Sequence, residues 1–155
     1  MVVLPFKIAE KEKVVQPEAA TGEASIRGLH LLLAEDNELN AEIAARLLND
    51  EGATVQVVRD GQQAIDAFAS RPQGTYDAIL MDIMMPKIDG YTATRVIRST
   101  NRQDAKTIPI IAMTAHVFDE DVKQCLEAGM NAHLPKPLQM EKVVSTIARL
   151  CKRKK

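Results

Sequence analysis

Tyr76-Asp77-Ala78-Ile79-Leu80-Met81-Asp82 is the stretch on which the fold turns. From Ala78 to Met81 it is apolar without alternation, so both of its faces are covered. That is the condition of a parallel strand lying between two layers of helix. The run stops on an acid. Asp82 is followed by Ile83-Met84-Met85-Pro86-Lys87-Ile88-Asp89-Gly90, where Pro86 and Gly90 break the pattern before the next helical periodicity. The strand therefore delivers a carboxylate to its own C-terminal edge.

The same alternation of short apolar runs and amphipathic stretches extends in both directions. His30-Leu31-Leu32-Leu33-Ala34, Val55-Gln56-Val57-Val58 and Ile108-Pro109-Ile110-Ile111-Ala112-Met113 read as strands, with Asn131-Ala132-His133-Leu134 as a fifth. Between them Leu39, Ile43 and Leu47 share one helical face. Ala64, Ile65 and Phe68 share another, as do Ala93, Val96 and Ile97, then Val122, Cys125 and Leu126. Met140, Val143, Val144 and Ile147 belong to a last helix, and Gly52 and Gly129 sit where helices should stop. Five strand–helix repeats imply an α/β fold, a doubly wound parallel sheet of (βα)5 type.

Residues 28–151 form this domain. Gln16–Gly28, small and polar and interrupted by Pro17, Gly22 and Gly28, reads as a linker, so residues 1–27 are the end of a preceding domain plus that linker. Val2–Ile8 is an apolar segment with no partner of its own, and a lone strand does not hold together unaided. The domain carries 12 Lys/Arg against 17 Asp/Glu, while residues 152–155 are a basic tail. A net charge of -1 makes no case for nucleic acid or for direct membrane contact. Cys125 and Cys151, outside any CxxC pair, read as reduced thiols of a cytoplasmic protein, with any membrane anchor elsewhere in the parent chain.

Glu35 and Asp36 follow the first strand, Asp82 ends the third, Thr114 the fourth and Lys136 the fifth. Ligands of open α/β sheets bind at that edge. Three carboxylates, a hydroxyl and an ammonium thus converge on one crevice. Packed carboxylates need a cation to remain ionised together, and oxygen ligands with room for water suit Mg²⁺. One carboxylate can then serve as a nucleophile and form an aspartyl-phosphate. Lys136 would neutralise charge on the transferring group, and Thr114 would donate a hydrogen bond to it.

Leu33-Ala34-Glu35-Asp36-Asn37, Met81–Gly90, Ala112-Met113-Thr114-Ala115 and Leu134-Pro135-Lys136-Pro137 resemble the four signature blocks of two-component receiver domains. The resemblance implies a flavodoxin-like strand order 2-1-3-4-5 and a phosphoacceptor at Asp82. It implies Mg²⁺ held by Glu35, Asp36, Asp82 and the backbone carbonyl of Met84. Thr114 becomes the switch hydroxyl, Lys136 the phosphate-pairing lysine, and the Lys136–Pro137 bond cis. His133 stands where the family usually has a Tyr or Phe that swings inward on phosphorylation.

Glu35-Asp36-Asn37-Glu38-Leu39-Asn40 resembles receivers fused to kinases, and Leu4-Pro5-Phe6-Lys7-Ile8 resembles the final strand of a histidine-kinase ATPase domain. The implied setting is a hybrid histidine kinase in a phosphorelay. The implied partners are the kinase core and a histidine phosphotransfer domain, with weak homodimerisation through the fourth helix, fifth strand and fifth helix of the repeats. Such a module is not an enzyme in the usual sense, since it catalyses only its own phosphorylation and dephosphorylation. No DNA-binding module is expected to follow.

Two rival readings differ at single positions. A haloacid-dehalogenase-like phosphatase also uses a strand-end Asp, Mg²⁺ and Lys, but places a second Asp where this chain has Met84. A degenerate receiver used only for docking would lack some of Glu35, Asp36, Asp82, Thr114 and Lys136, all of which are present.

Overall fold

The structure, a computed structural model, describes residues 25–114, 119–136 and 138–152. The apolar segment at Val2–Ile8, His116, Pro137 with its expected cis bond, and residues 153–155 lie outside these residues. The elements are β1 (His30–Ala34), α1 (Glu38–Asp50), β2 (Thr54–Val58), α2 (Gly61–Ala69), β3 (Ala78–Asp82) and α3 (Gly90–Ser99). They continue with α4 (Gln103–Thr107), β4 (Ile110–Thr114), α5 (Asp119–Ala128), β5 (Ala132–Pro135) and α6 (Met140–Lys152).

All strand pairs are parallel, in the order β2-β1-β3-β4-β5. This is the order the family resemblance implied. The central strands behave as their unalternating composition requires: every residue of β3 and of β4 is buried. Two apolar layers result. Leu32, Ile79, Met81, Ile110 and Ala112 pack with Phe68 of α2, Ala93 and Ile97 of α3 and Cys125 of α5. Leu31, Leu33, Leu80, Ile111 and Met113 face the opposite way, onto Ala44 and Leu48 of α1 and Val143, Val144 and Ile147 of α6. Each of the fully buried Leu, Ile, Val, Met and Phe side chains contributes about 1.5–3 kcal/mol of transfer free energy.

Three of the helical readings need correction. Leu39, Ile43 and Leu47 do share a face of α1, but it is the outer face, with Leu39 63% and Ile43 49% exposed. The helix is instead buried through Ala41, Ala44 and Leu48. Ala41 and Ala44 let α1 lie close to the sheet and leave Leu39 and Ile43 outside. Val96 of α3 and Leu126 of α5 are likewise exposed, while their neighbours Ile97 and Cys125 are buried. A short helix, α4, stands between α3 and β4, where no helix was read from the sequence. Arg102 fixes it through a bidentate pair with Asp104, a hydrogen bond to the Phe68 carbonyl and a stack 4.5 Å over the Phe68 ring.

Candidate functional site

The register brings the strand ends level. Ala34 pairs with Met81, so Glu35, the next residue, stands beside Asp82, and Asp82 pairs with Met113, one residue short of Thr114. Thr114 pairs with Pro135, which leaves Lys136 just past the edge of β5. The Lys136 amide donates to the Thr114 carbonyl at 2.8 Å, so the lysine's backbone is tied directly to the end of β4. Asn37 caps α1, its Oδ1 accepting from the Asn40 amide at 2.9 Å, and its own N–H donates to Glu35 Oε2 at 3.2 Å. Capping and acid placement are therefore one arrangement.

Glu35 and Asp82 are buried and Asp36 is exposed. Oxygens of all three carboxylates lie within 4.8 Å of one another. The Lys136 ammonium stands 2.8 Å from Glu35 Oε1 and 3.1 Å from Asp82 Oδ2. The second Asp82 oxygen accepts from the Met84 amide at 3.3 Å. Thr114 is buried at the end of β4. Glu35, Asp36, Asp82 and Lys136 thus line one cleft of about 530 Å³, with Met84 and Asn40 also in its wall, while Thr114 ends the strand next to Asp82.

One ammonium does not offset three carboxylates. Burial first, then the charge of Glu35, push the Asp82 carboxyl up to about 6 in spite of Lys136. Lys136 is shifted upward as well, for a different reason. Burial alone would lower it, but its hydrogen bonds with Glu35 and Asp82 outweigh burial and hold it above the usual lysine range. A cleft of hard oxygen donors that remains under-neutralised is chemically suited to a divalent cation such as Mg²⁺.

The chain matches the response regulator receiver domain family over residues 31–148. It belongs to that family. Among curated relatives, the receiver is 38% identical to Histidine kinase 1 of Arabidopsis thaliana over 158 residues, an alignment covering 83% of this chain but 13% of the kinase. The receiver therefore spans only about an eighth of that relative's length. Among solved structures, it is similar to the receiver domain of sensor histidine kinase PA1611 from Pseudomonas aeruginosa, crystallised with magnesium coordinated in its active-site cleft. That likeness has 40% identity and a TM-score of 0.72 over 81% of this chain and 98% of the other. It is also similar, at 25% identity and a TM-score of 0.72 over 81% of this chain and 90% of the other, to the receiver domain in a Saccharomyces cerevisiae co-crystal structure. There the histidine phosphotransfer protein Ypd1 is bound to the receiver domain of its downstream response regulator Ssk1. Receivers of this family are modules of two-component phosphorelays, and the chain is one of them.

His133 lies in β5 opposite Ala112, two residues before the partner of Thr114. Side chains of partnered residues in a parallel pair share a sheet face, so His133 and Thr114 lie on the same side, the side packed by α3 and α5. Sequence reasoning missed a groove of about 370 Å³ that adjoins the cleft, lined by Ile43, Ala44 and Leu47 of α1 together with Leu138, Glu35 and Lys136. The signal was present in the helical face of Leu39, Ile43 and Leu47, but its direction was not.

Proposed function

We propose that Asp82 receives a phosphoryl group from a phosphohistidine. The observation that carries this reading is the position of Lys136, within hydrogen-bond distance of both Glu35 and Asp82 at the end of the sheet. In the transfer, an Asp82 oxygen forms a P–O bond as the P–N bond to the donor imidazole breaks. The bonding electron pair returns to the imidazole nitrogen. Lys136 offsets charge on the transferring oxygens and Thr114 donates a hydrogen bond to one of them. Glu35, Asp36, Asp82 and the Met84 carbonyl would hold Mg²⁺, which when bound supplies the positive charge that the cleft lacks. Hydrolysis of the same acyl phosphate returns the module to its starting state, so its chemistry acts only on itself.

A dianionic group on Asp82 draws Thr114 toward it, and His133, on the same sheet face, repacks in consequence. The surface so altered is that of α5, β5 and α6, where exposed Leu126 supports a weak self-association. The donor approaches along α1. Leu39, Ile43 and Leu47 form an exposed apolar row beside the cleft, which suits the apolar face of a helix presenting a phosphohistidine. A histidine phosphotransfer domain is the fitting partner, and the complex known for the Ypd1–Ssk1 relative supports it. The kinase core of the same parent is the other partner. Residues 1–27 are then the end of a preceding domain and a linker, in a cytoplasmic part of that parent. Among the described residues no helix is long and apolar enough to cross a membrane.

Titration with beryllofluoride, a phosphoryl mimic, tests the reading. Saturable binding is expected with Mg²⁺ and not without it, and it is expected to vanish in Asp82→Asn. Equal binding in that variant would contradict the proposal.

A further inference from the structure

Lys87 has a φ of 69°, the one positive value at a non-glycine position among the described residues. It is the centre of a γ-turn in which the Ile88 amide donates to the Pro86 carbonyl at 2.8 Å. This hand of γ-turn is rare and strained for a residue that carries a Cβ. Strain of that kind persists only where the surroundings over-determine it.

The surroundings are identifiable. At one end of the β3–α3 loop, the Gly90 amide donates to the Ile83 carbonyl at 2.9 Å, and a Cβ at Gly90 would strike the Asp82 carbonyl oxygen. Across the loop, a Cβ at Gly61 would strike the Ile88 carbonyl oxygen. The first residue of α2 is therefore a glycine on which the turn rests. Lys87 completes the contact by reaching to within 3.6 Å of Asp60 Oδ2. Asp60 is itself fixed: it is buried, and its other oxygen caps α2 by accepting from the Gln63 amide at 2.8 Å. The loop held in this way carries Met84, whose amide already bonds to Asp82 and whose carbonyl is a proposed metal ligand.

We infer that Lys87 is a positioning residue which, paired with Asp60, holds the β3–α3 loop at the height that places the Met84 carbonyl for the divalent ion. This rests on the Mg²⁺ reading above. The pair is largely exposed on the lysine side, so its influence is that of a screened ion pair and not of a buried one.

The test is a double-mutant cycle read by Mg²⁺ titration of the whole chain, followed by amide resonances. The variants are Lys87→Met, Asp60→Asn, which keeps a capping oxygen, and both together. Each single change is expected to weaken Mg²⁺ binding about two- to fivefold. The double change should weaken it no further, since one pair is lost either way. Lys87→Arg should restore the affinity, and the loss should shrink at about 1 M salt. Opposite and additive effects, Lys87→Met tightening and Asp60→Asn weakening, would reveal a bare field effect and overturn the inference. Unchanged affinities with lowered stability would overturn it too, leaving only a structural clamp. Failure of the unmodified chain to bind Mg²⁺ would instead sink the metal reading itself.

Discussion

The Lys136 ammonium stands 3.1 Å from Asp82 and 2.8 Å from Glu35, so a single cation holds two buried carboxylates together. Its removal leaves those carboxylates facing each other. Lys136→Met should cost the metal-free fold roughly 2 kcal/mol, below the range for a fully buried pair because the lysine is 22% exposed. Urea denaturation checks this, and added Mg²⁺ should recover part of the loss.

The elevated Asp82 carboxyl makes stability depend on pH in a direction opposite to that of most acids. Its folded value of about 6 lies above the 3.8 expected unfolded, so between those values the folded chain binds more protons than the unfolded one. Asp82's contribution therefore falls as pH rises from about 4 to 6 and is flat above, a change on the order of 3 kcal/mol. Subtracting the pH profile of Asp82→Asn from that of the unmodified chain, without metal, should expose this slope. The asparagine variant should be the more stable of the two at pH 7.

Asp104 behaves in the ordinary sense. Burial tends to raise it, but the hydrogen bond and charge of Arg102, with the Gly74 amide at 3.1 Å, hold it below the usual carboxylate range. The stabilisation is present above the unfolded value and lost as pH falls through the folded one. Asp104→Asn should lower stability by about 1–2 kcal/mol at pH 7 and leave Mg²⁺ binding unchanged. Equilibrium denaturation beside metal titration separates the two.

The outer face of α1 gives a prediction about the partner. Ile43 is 49% exposed, so Ile43→Arg should change stability by no more than about 0.5 kcal/mol. Transfer from a phosphorylated histidine phosphotransfer domain should fall at least about tenfold, as expected when a central apolar contact is replaced by a charge. Phosphorylation by a small donor such as acetyl phosphate, which needs no docking surface, should be unaffected.

Met84 is 76% exposed and lines the cleft two residues after the acceptor. On the proposed reading of the site, an apolar side chain there would screen the phosphoryl group from attacking water. Met84→Asn should therefore shorten the lifetime of the phosphorylated form several-fold, measured as release of inorganic phosphate. An unchanged or longer lifetime would contradict that role.

What the chain discloses by itself follows from which forces are local. β1 was legible residue for residue because an uninterrupted apolar run between turn formers has one reading. The site was legible for the same reason, since the acids, Thr114 and Lys136 sit where strands end, and parallel strands end together. The direction of α1 was not. Its sequence holds two apolar stripes, and the narrower one, Ala41, Ala44 and Leu48, won because the sheet demands close approach. Nor was the Lys87–Asp60 contact, which joins positions 27 residues apart through a backbone turn that no composition announces.

The most direct test of the central claim is to map the phosphoryl group. The chain would be incubated with acetyl phosphate, with and without Mg²⁺, then reduced with borohydride, which converts an acyl phosphate to an alcohol, and the modified residue located by mass spectrometry. Modification at Asp82 alone, only when Mg²⁺ is present, is the predicted result. Modification elsewhere, or at Asp82 regardless of Mg²⁺, would contradict it.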